Sequence, residues 1–569
     1  MRLKDAAPPL FVACAGLAVS LPLWLYGLPL VGDSVLLVSW HERFAAPLFA
    51  GELYPRWLSQ MSAGLGSPAF FFYAPAPFYF SALLRALLPF GSDAPRTLGV
   101  AYALALTASG LTAYAWLRRL CGSRAATAGA CLYLLAPYHA AVDLYTREAY
   151  AELCAFVWIP LVLLFAERIK TCPRAGLAGL SISYALVALT HLPATLIFSP
   201  VPVAYAYFTT GRDGRARATL RVACAMALGA GLASVYLIPA LTTQANASLT
   251  DMLPHLYYER WATFTRTSLG ELYGRIFWGE LSSACLVACA AALVASRRDE
   301  SARRLVLFWS AVCALSLFMT TFASNFLWRL VPVVQKVQFP WRYNINVCAA
   351  AAAAAALVLA ARRPPDARRA HARLYVFGAL LVALWAFADV RTAWSDYEQA
   401  LKTGGVSVPN AERWVWTVGG DAPEYKPRWA NSNADTRSSE IARALCGGAT
   451  VPATGCVHTD ETDAEIAIER WRPRDIALRV NSPRGAALVV AQFYYAGWSA
   501  RLDGQPLPVG YTKPDGIITL DAPGGSHAIS LRLEPARAET AGRVLSACSL
   551  ALLALVVAAP RRRRASHGA

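Results

Sequence analysis

"SPAFFFYAPAPFYFSALLRALLPF", residues 67–90, is apolar enough to cross a membrane, yet it carries Pro68, Pro75 and Pro77. Whether it crosses decides the topology of the whole chain. Proline inside a helix removes a backbone donor and breaks the ladder. Broken elements at membrane depth are tolerated where protein or a cavity satisfies the freed groups. Three prolines therefore suggest a re-entrant element. Charge parity supports that reading. Basic clusters stand in short loops: "LRRLCGSR", "ERIKTCPR", "GRDGRARATLR", "SRRDESARR", "ARRPPDARRAHAR" and the terminal "RRRR". If 67–90 returns to the side it came from, all of them share one side with both termini. If it crosses once, "LRRLCGSR" and later basic loops fall on the other side. Cytoplasmic loops collect Lys and Arg, so the sequence predicts no net crossing.

Working outward, the chain has 569 residues, of which 56% are hydrophobic and 16% charged. Many segments are apolar all round, which reads as membrane spans. Candidate spans are 10–31, 97–117, 125–140, 150–168, 174–191, 193–209, 219–241, 276–296, 304–322, 343–361, 373–391 and 541–560. The run at 10–31 is too long for a signal core and ends in no small-residue cleavage site. The expected fold is mainly α, a polytopic transmembrane bundle of about 12–14 spans, counted from these runs. The net charge of +17 is explained by the loop clusters, so nucleic acid is not expected as a partner. The lipid bilayer is.

This topology leaves 32–96, 141–149, 242–275, 323–342 and 392–540 outside. The expected organisation is a transmembrane domain at 1–391, an extracytoplasmic domain at 392–540, and a last span with a basic cytoplasmic tail at 541–569. In 392–540, "DIALRV", "ALVVAQFYY", "WSARL", "GIITL" and "HAISLRL" read as strands. Turn signals separate them, which suggests a small antiparallel sandwich. The part at 392–470 looks irregular. Most of the 13 cysteines lie singly in apolar spans, but Cys446 and Cys456 fall in the polar region, where a disulfide can form outside the cytoplasm.

Four outer-side constellations carry chemistry-bearing residues. In "GDSVLLVSWHERF" (32–44), Asp33 stands at the start of an interfacial helix. His41 lies roughly 12 Å further along, at 1.5 Å per residue, so the two cannot share a metal on a straight helix. The plain alternative is that Asp33 caps the helix while His41, Glu42 and Arg43 form its wet face. In "GELYPRWLSQ" (51–60), Tyr54 suits a membrane interface and Arg56 is an outer-side cation. In "YTREAYAE" (145–152), Arg147 and Glu148 open a span, with Glu152 at i+4 on the face of Glu148. Charges dipping into a span face a cavity or a partner. In "VPVVQKVQFPWRYN" (331–344), Lys336 and Arg342 flank Trp341, a pattern that suits a lipid phosphate as well as plain anchoring. His191 in "LTHLPAT" is a lone polar group between short spans. No Walker A pattern and no GxGxxG after a strand occurs. A reaction on this side would need a lipid-linked donor in place of a cytoplasmic nucleotide.

The order "LYPRW", "GLGSPAFFFYAP", "APYHAAVDLYTREAYAE", "THLPA", "QFPWR" and "YYAGWSARLDG" resembles the bacterial 6-pyruvoyl-tetrahydropterin synthase-related membrane proteins and the neighbouring YfhO-type proteins. These stand among, or close to, the GT-C glycosyltransferases. The resemblance runs over about 30–560. It implies a GT-C-like bundle in the bacterial inner membrane. It also implies a polyprenyl-phosphate-linked sugar donor and a cell-envelope glycan, lipid or protein acceptor. An acid of the first outer loop is then the base or helps hold a metal, a role that falls on Asp33. The N-terminal dipole of its helix would keep it ionised. The loop has a single acid where DxD or ExD is common, which leaves a divalent metal open and no cofactor fixed. Arg147, Lys336 and Arg342 match a leaving-phosphate role by position. His41, Glu42, Tyr54, Arg56, Glu148, Glu152 and His191 complete the candidate substrate-binding set. Two other classes compete. A transporter or flippase of lipid-linked glycan should show homologous halves, which the sequence lacks. A non-catalytic scaffold would keep the sandwich for glycan binding and leave Asp33 inert. Fusion of a reporter enzyme active only outside the cytoplasm after Gly420 should give signal. A cytoplasmic reading there would overturn the topology.

Overall fold

The computed structural model describes residues 3–29, 33–248, 257–264, 271–295, 300–360, 380–381, 384–395, 397–398, 402, 422–430 and 437–558. The expected span at 373–391 lies partly outside these residues. The basic segment after Ala360 and the terminal "RRRR" lie wholly outside them. Among the described residues, eight helices are long and apolar enough to cross a membrane, or nine if one bent pair counts as a span. A C-terminal pair of antiparallel sheets follows the helical region.

The segment 67–90 forms two short helices, Ala69–Phe72 and Ala76–Leu87. The longer has 12 residues, about 18 Å at 1.5 Å per residue, short of a hydrocarbon core of about 30 Å. Phe70, Phe71 and Phe78 are buried, so the first half of the segment is packed inside protein, while Leu83 and Leu87 near its end are exposed. The run at 10–31 is not one span. It breaks into Leu3–Val19 and Leu21–Tyr26. Pro22 cannot donate to a carbonyl one turn back. Ser20, at the break, turns its hydroxyl to the Gly16 carbonyl at 2.7 Å.

The run at 219–241 also bends. Arg212–Leu232 and Ser234–Thr242 meet at 77°. Pro239 removes the donor that the Val235 carbonyl would receive, and the Arg56 guanidinium donates to that carbonyl instead, at 2.7 Å. The Val235 N–H is taken by the Ser546 hydroxyl at 2.8 Å. The last helix, Arg537–Ala558, is thereby tied to the bend. Gly542 sits against the Ser234 carbonyl, where a Cβ would come within 2.5 Å.

The strands are β1 (Val457–His458), β2 (Glu465–Arg472), β3 (Asp475–Ser482), β4 (Ala486–Phe493), β5 (Trp498–Leu502), β6 (Gln505–Leu507), β7 (Gly510–Tyr511), β8 (Ile517–Ala522) and β9 (Gly525–Leu533). They pair as β1-β4-β8-β7 and β2-β3-β9-β5-β6. Inward positions such as Leu478, Val480, Leu488, Val490 and Leu531 alternate with outward ones and fill the core. The expected irregularity at 392–470 is only partial. Arg437–Cys446 is a helix and β2 is a full strand. β2 lies at a sheet edge and carries Glu465, Glu469, Arg470 and Arg472. Charge on an edge strand blunts pairing with other chains and hides the strand's alternation. Cys446 and Cys456 form a disulfide.

The sandwich does not fill its core alone. Trp57, Leu65 and Phe71, from the stretch after the Ser34–Phe49 helix, are buried in the same cluster as Val480 and Leu531. Trp57 Nε1 donates to Gln492 Oε1 at 3.1 Å, and Gln492 Nε2 donates to the Gly64 carbonyl at 2.7 Å. Gln492→Ala should therefore destabilise the whole protein. Buried groups left without partners cost roughly 1–3 kcal/mol each, and a lower melting temperature of the purified protein is the measurement.

Candidate functional site

A cavity of about 410 Å³ lies where the Ser34–Phe49 helix meets three other pieces. These are the start of the Tyr150–Thr171 helix, the Pro340–Tyr343 turn and the Pro423–Tyr425 turn. Asp33, Arg147, Glu152, His191 and Arg342 all line it.

The cationic wall is built first. Tyr138–Thr146 winds as a π-helix, which puts Asp143 and Arg147 on one side of the turn. Arg147 pairs with Asp143 at 2.9 Å and with Glu152 at 3.1 Å. Arg342 reaches the same Glu152 oxygen at 3.3 Å. The other Glu152 oxygen accepts from the Tyr138 hydroxyl at 2.6 Å. Arg342 also donates to the Val337 carbonyl at 2.8 Å and to Gln338 Oε1 at 2.9 Å. Glu152 is buried, and so are most of both guanidiniums, which keep 11% and 10% of their side-chain surface. Charges this deep are held only by pairing and hydrogen bonds. Each arginine has more donors than these bonds use, and both side chains line the cavity.

Asp33 lines the same cavity, and its side chain keeps open surface although protein packs densely around it. Burial pushes its carboxyl above the usual range, while Arg147 and Arg342 hold it down and Glu152 pushes it up. The expected dipole effect of its own helix does not dominate. The plain capping reading also fails, since the Asp33 side chain makes no cap hydrogen bond.

His191 does line the cavity, and it caps the Leu192–Phe198 helix through Nδ1, which accepts the Ala194 N–H at 3.3 Å. Glu148 is not helical. It sits in the turn before Tyr150 with a φ of +53°, so the i+4 pairing of its face with Glu152 is wrong. Lys336 is exposed and donates to Gln244 at 2.9 Å. It lines a second, mostly apolar cavity of about 430 Å³ that shares Gln338 and Tyr425 with the first.

Four other candidates lie off the first cavity. His41 is buried and bonded to the Ser81 hydroxyl at 2.8 Å. Burial, with Arg85 nearby, pushes it down to about 4, so it is no part of a wet face. Glu42 pairs with Arg85. Arg56 is buried, stacked over the Tyr54 ring at 3.9 Å and paired with Glu539 at 3.1 Å. Residues not expected from the sequence also serve the site. Asp143 holds Arg147, Tyr138 holds Glu152, and Glu424 lines the cavity from the far end of the chain. Asp143 has a sequence signal, the i,i+4 spacing to Arg147. The described residues contain no group of three or more His, Cys, Asp and Glu placed to hold a metal. Both Glu152 oxygens are already taken, so these residues do not fit a divalent ion.

The model of a membrane-protein family described as the 6-pyruvoyl-tetrahydropterin synthase related domain matches residues 70–395. That span holds Arg147, Glu152, His191 and Arg342 and begins after Asp33. No curated protein matches the chain. Among solved structures, the arabinofuranosyltransferase AftD from Mycobacteria is similar at 20% identity and a TM-score of 0.43, over 68% of this chain and 26% of AftD. The chain thus spans about a quarter of AftD. ArnT from Cupriavidus metallidurans, in a structure bound to undecaprenyl phosphate, is similar at 14% identity and a TM-score of 0.31. That match covers 62% of this chain and 77% of ArnT.

Because one carboxylate holds two buried cations, Glu152→Gln should strip charge from both while keeping a partner for Tyr138. Breaking a buried pair costs roughly 3–5 kcal/mol. Thermal unfolding in nanodiscs should show a clear fall in melting temperature, larger than that of Glu42→Gln at the part-exposed Arg85 pair.

Proposed function

The chain belongs to the 6-pyruvoyl-tetrahydropterin synthase-related family of membrane proteins, and we propose that it is a glycosyltransferase of the outer membrane surface. In this reading it moves a sugar from a polyprenyl-phosphate-linked donor to a cell-envelope glycan, lipid or protein. The reaction takes place on the extracytoplasmic face of the bacterial inner membrane, the side that also carries 392–540. One observation carries the proposal: Asp33 and the paired guanidiniums of Arg147 and Arg342 share a single cavity.

The chemistry follows from that placement. The acceptor hydroxyl gives its proton to the Asp33 carboxylate as its oxygen bonds to the anomeric carbon. The bond from that carbon to the phosphate oxygen breaks, and the electron pair leaves with the phosphate. Positive charge fixed in advance where negative charge develops lowers the barrier. Glu152 keeps the two arginines in place before the donor arrives, so little reorganisation is needed. A carboxyl raised above the ordinary range is a stronger base than a surface aspartate, provided it is ionised. Trp341 and Phe339, stacked with centroids 4.5 Å apart, wall the arginine side.

The test is sugar transfer from a synthetic polyprenyl-phosphate sugar by protein in nanodiscs. Asp33→Asn keeps size and helix-start chemistry and should lower turnover by roughly 10²-fold or more. In the wild type, turnover should rise with pH through the Asp33 ionisation, because only the ionised form is a base. Since burial raises that ionisation, the acid limb should lie above the ordinary aspartate range, and Asp33→Asn should abolish it. Arg147→Lys keeps the charge but loses the planar fork, and should lower turnover separately. Full activity in a normally inserted Asp33→Asn protein would remove Asp33 as the base.

A further inference from the structure

The Ser34–Phe49 helix begins with an aspartate that does not cap it. An N-cap Asp normally takes extended backbone angles and spends its carboxylate on the N–H groups of its own first turn. Asp33 instead has φ −76° and ψ −13°, helical values, and makes no such bond. The carboxyl acceptor at this helix start comes from elsewhere in the chain. Glu148 Oε2 accepts the Ser34 N–H at 3.2 Å.

Glu148 is well fixed for this. Its side chain is fully buried. Its backbone turns through a positive φ of +53°, a region that few non-glycine residues adopt. The Tyr102 hydroxyl donates to its carbonyl at 2.5 Å, and the Tyr102 ring stacks on Tyr150 at 4.8 Å. Glu148 also follows Arg147 directly. One turn therefore aims a cation at the cavity and a carboxylate at the helix that carries Asp33.

We infer that Glu148 is a positioning residue: it occupies the N-terminus of the Ser34–Phe49 helix, so that the Asp33 carboxylate is left to face the cavity at a fixed place relative to Arg147. This rests on the reading of Asp33 as the base. A helix N-terminus attracts an anion and an acceptor. Without Glu148, the nearest carboxylate able to serve it is that of Asp33, and serving it turns Asp33 away from the cavity. The sequence hides this arrangement, because Ser34 and Glu148 lie 114 positions apart.

Glu148→Ala and Glu148→Gln in the full-length protein in nanodiscs test the inference with two readouts. The first is hydrogen exchange in peptides covering 33–38. Exchange should quicken in Glu148→Ala and stay near wild type in Glu148→Gln, whose amide oxygen still accepts. The second is sugar transfer from the synthetic polyprenyl-phosphate donor. Glu148→Ala should lower kcat roughly 10- to 100-fold, the scale of a misplaced catalytic group, with the donor KM changed less than about twofold. Glu148→Gln should restore most of kcat. Should Glu148→Ala fail to fold, Glu148→Asp, one methylene shorter, gives the same two readings. Unchanged exchange in Glu148→Ala would overturn the cap. Quickened exchange with unchanged kcat would overturn the positioning role. A fully active Asp33→Asn protein would remove the base on which the inference rests, while the exchange data would still report the cap by themselves.

Discussion

Everything around the cavity depends on one buried carboxylate held by two arginines. Glu152 enters on the first turn of its helix, and Arg147 and Arg342 reach the same oxygen from different parts of the chain. Neither cation could stay at this depth alone. Their pairing fixes the Pro340–Tyr343 turn against the π-helical turn at Tyr138–Thr146. Asn344 braces the same turn from behind. Its amide donates to the Trp341 carbonyl at 2.8 Å and to Glu280 at 2.9 Å. The cationic wall is thus a structural joint as well as a surface that faces the cavity. That dual role suits an anionic leaving group, since the charge is fixed by the fold before any ligand arrives.

The parts legible in the sequence were those with a local signature. Apolar length gave most spans, such as Ala94–Leu120 and Tyr150–Thr171. Alternation with turn residues gave β3, β4, β5, β8 and β9. The prolines of 67–90 gave its failure to cross as one helix, and outer-side placement brought Asp33, Arg147 and Arg342 together on paper. What failed was whatever depended on a distant partner. Arg56 reads only as an outer-side cation because its partner Glu539, 483 positions later, is invisible from its surroundings. His41 reads as a wet-face residue because its cover, Ser81, arrives with a helix whose packing no periodicity reveals. Glu148 reads as the first residue of a helix because a positive φ leaves no mark in the sequence when the residue is not glycine.

The sandwich illustrates the same limit at the scale of a domain. Its strands are local and readable, but its core is completed by Trp57, Leu65 and Phe71 from more than 380 positions earlier in the chain. Bundle and sandwich are therefore one packing unit, joined by apolar burial and by the amide of Gln492.

A second seam joins them with charge. Arg56 meets Glu539 at 3.1 Å, Arg474 of the β2–β3 turn meets the same glutamate at 3.0 Å, and Arg56 also satisfies the carbonyl that Pro239 orphans. The stretch around Arg56, the bent helix pair, the sandwich and the last helix thus converge on one carboxylate, as the cavity's elements converge on Glu152. Glu52 lies beside this seam, and burial, together with Glu539, pushes it up to about 7 although Arg474 and Arg56 pull it down. The arginines are already engaged by Glu539, so a second carboxylate there finds little further stabilisation and gains protons readily. At both seams one acid gathers arginines, two at Glu152 and, at Glu539, Arg56 and Arg474 with the exposed Arg543 at 3.6 Å. The difference lies in what the arginines face. At Glu539 their neighbours are protein: the Tyr54 ring, the Phe71 ring and the backbone. At Glu152 both arginines line a cavity that Asp33 also lines. The same device joins packed elements at Glu539 and, at Glu152, builds one wall of a cavity.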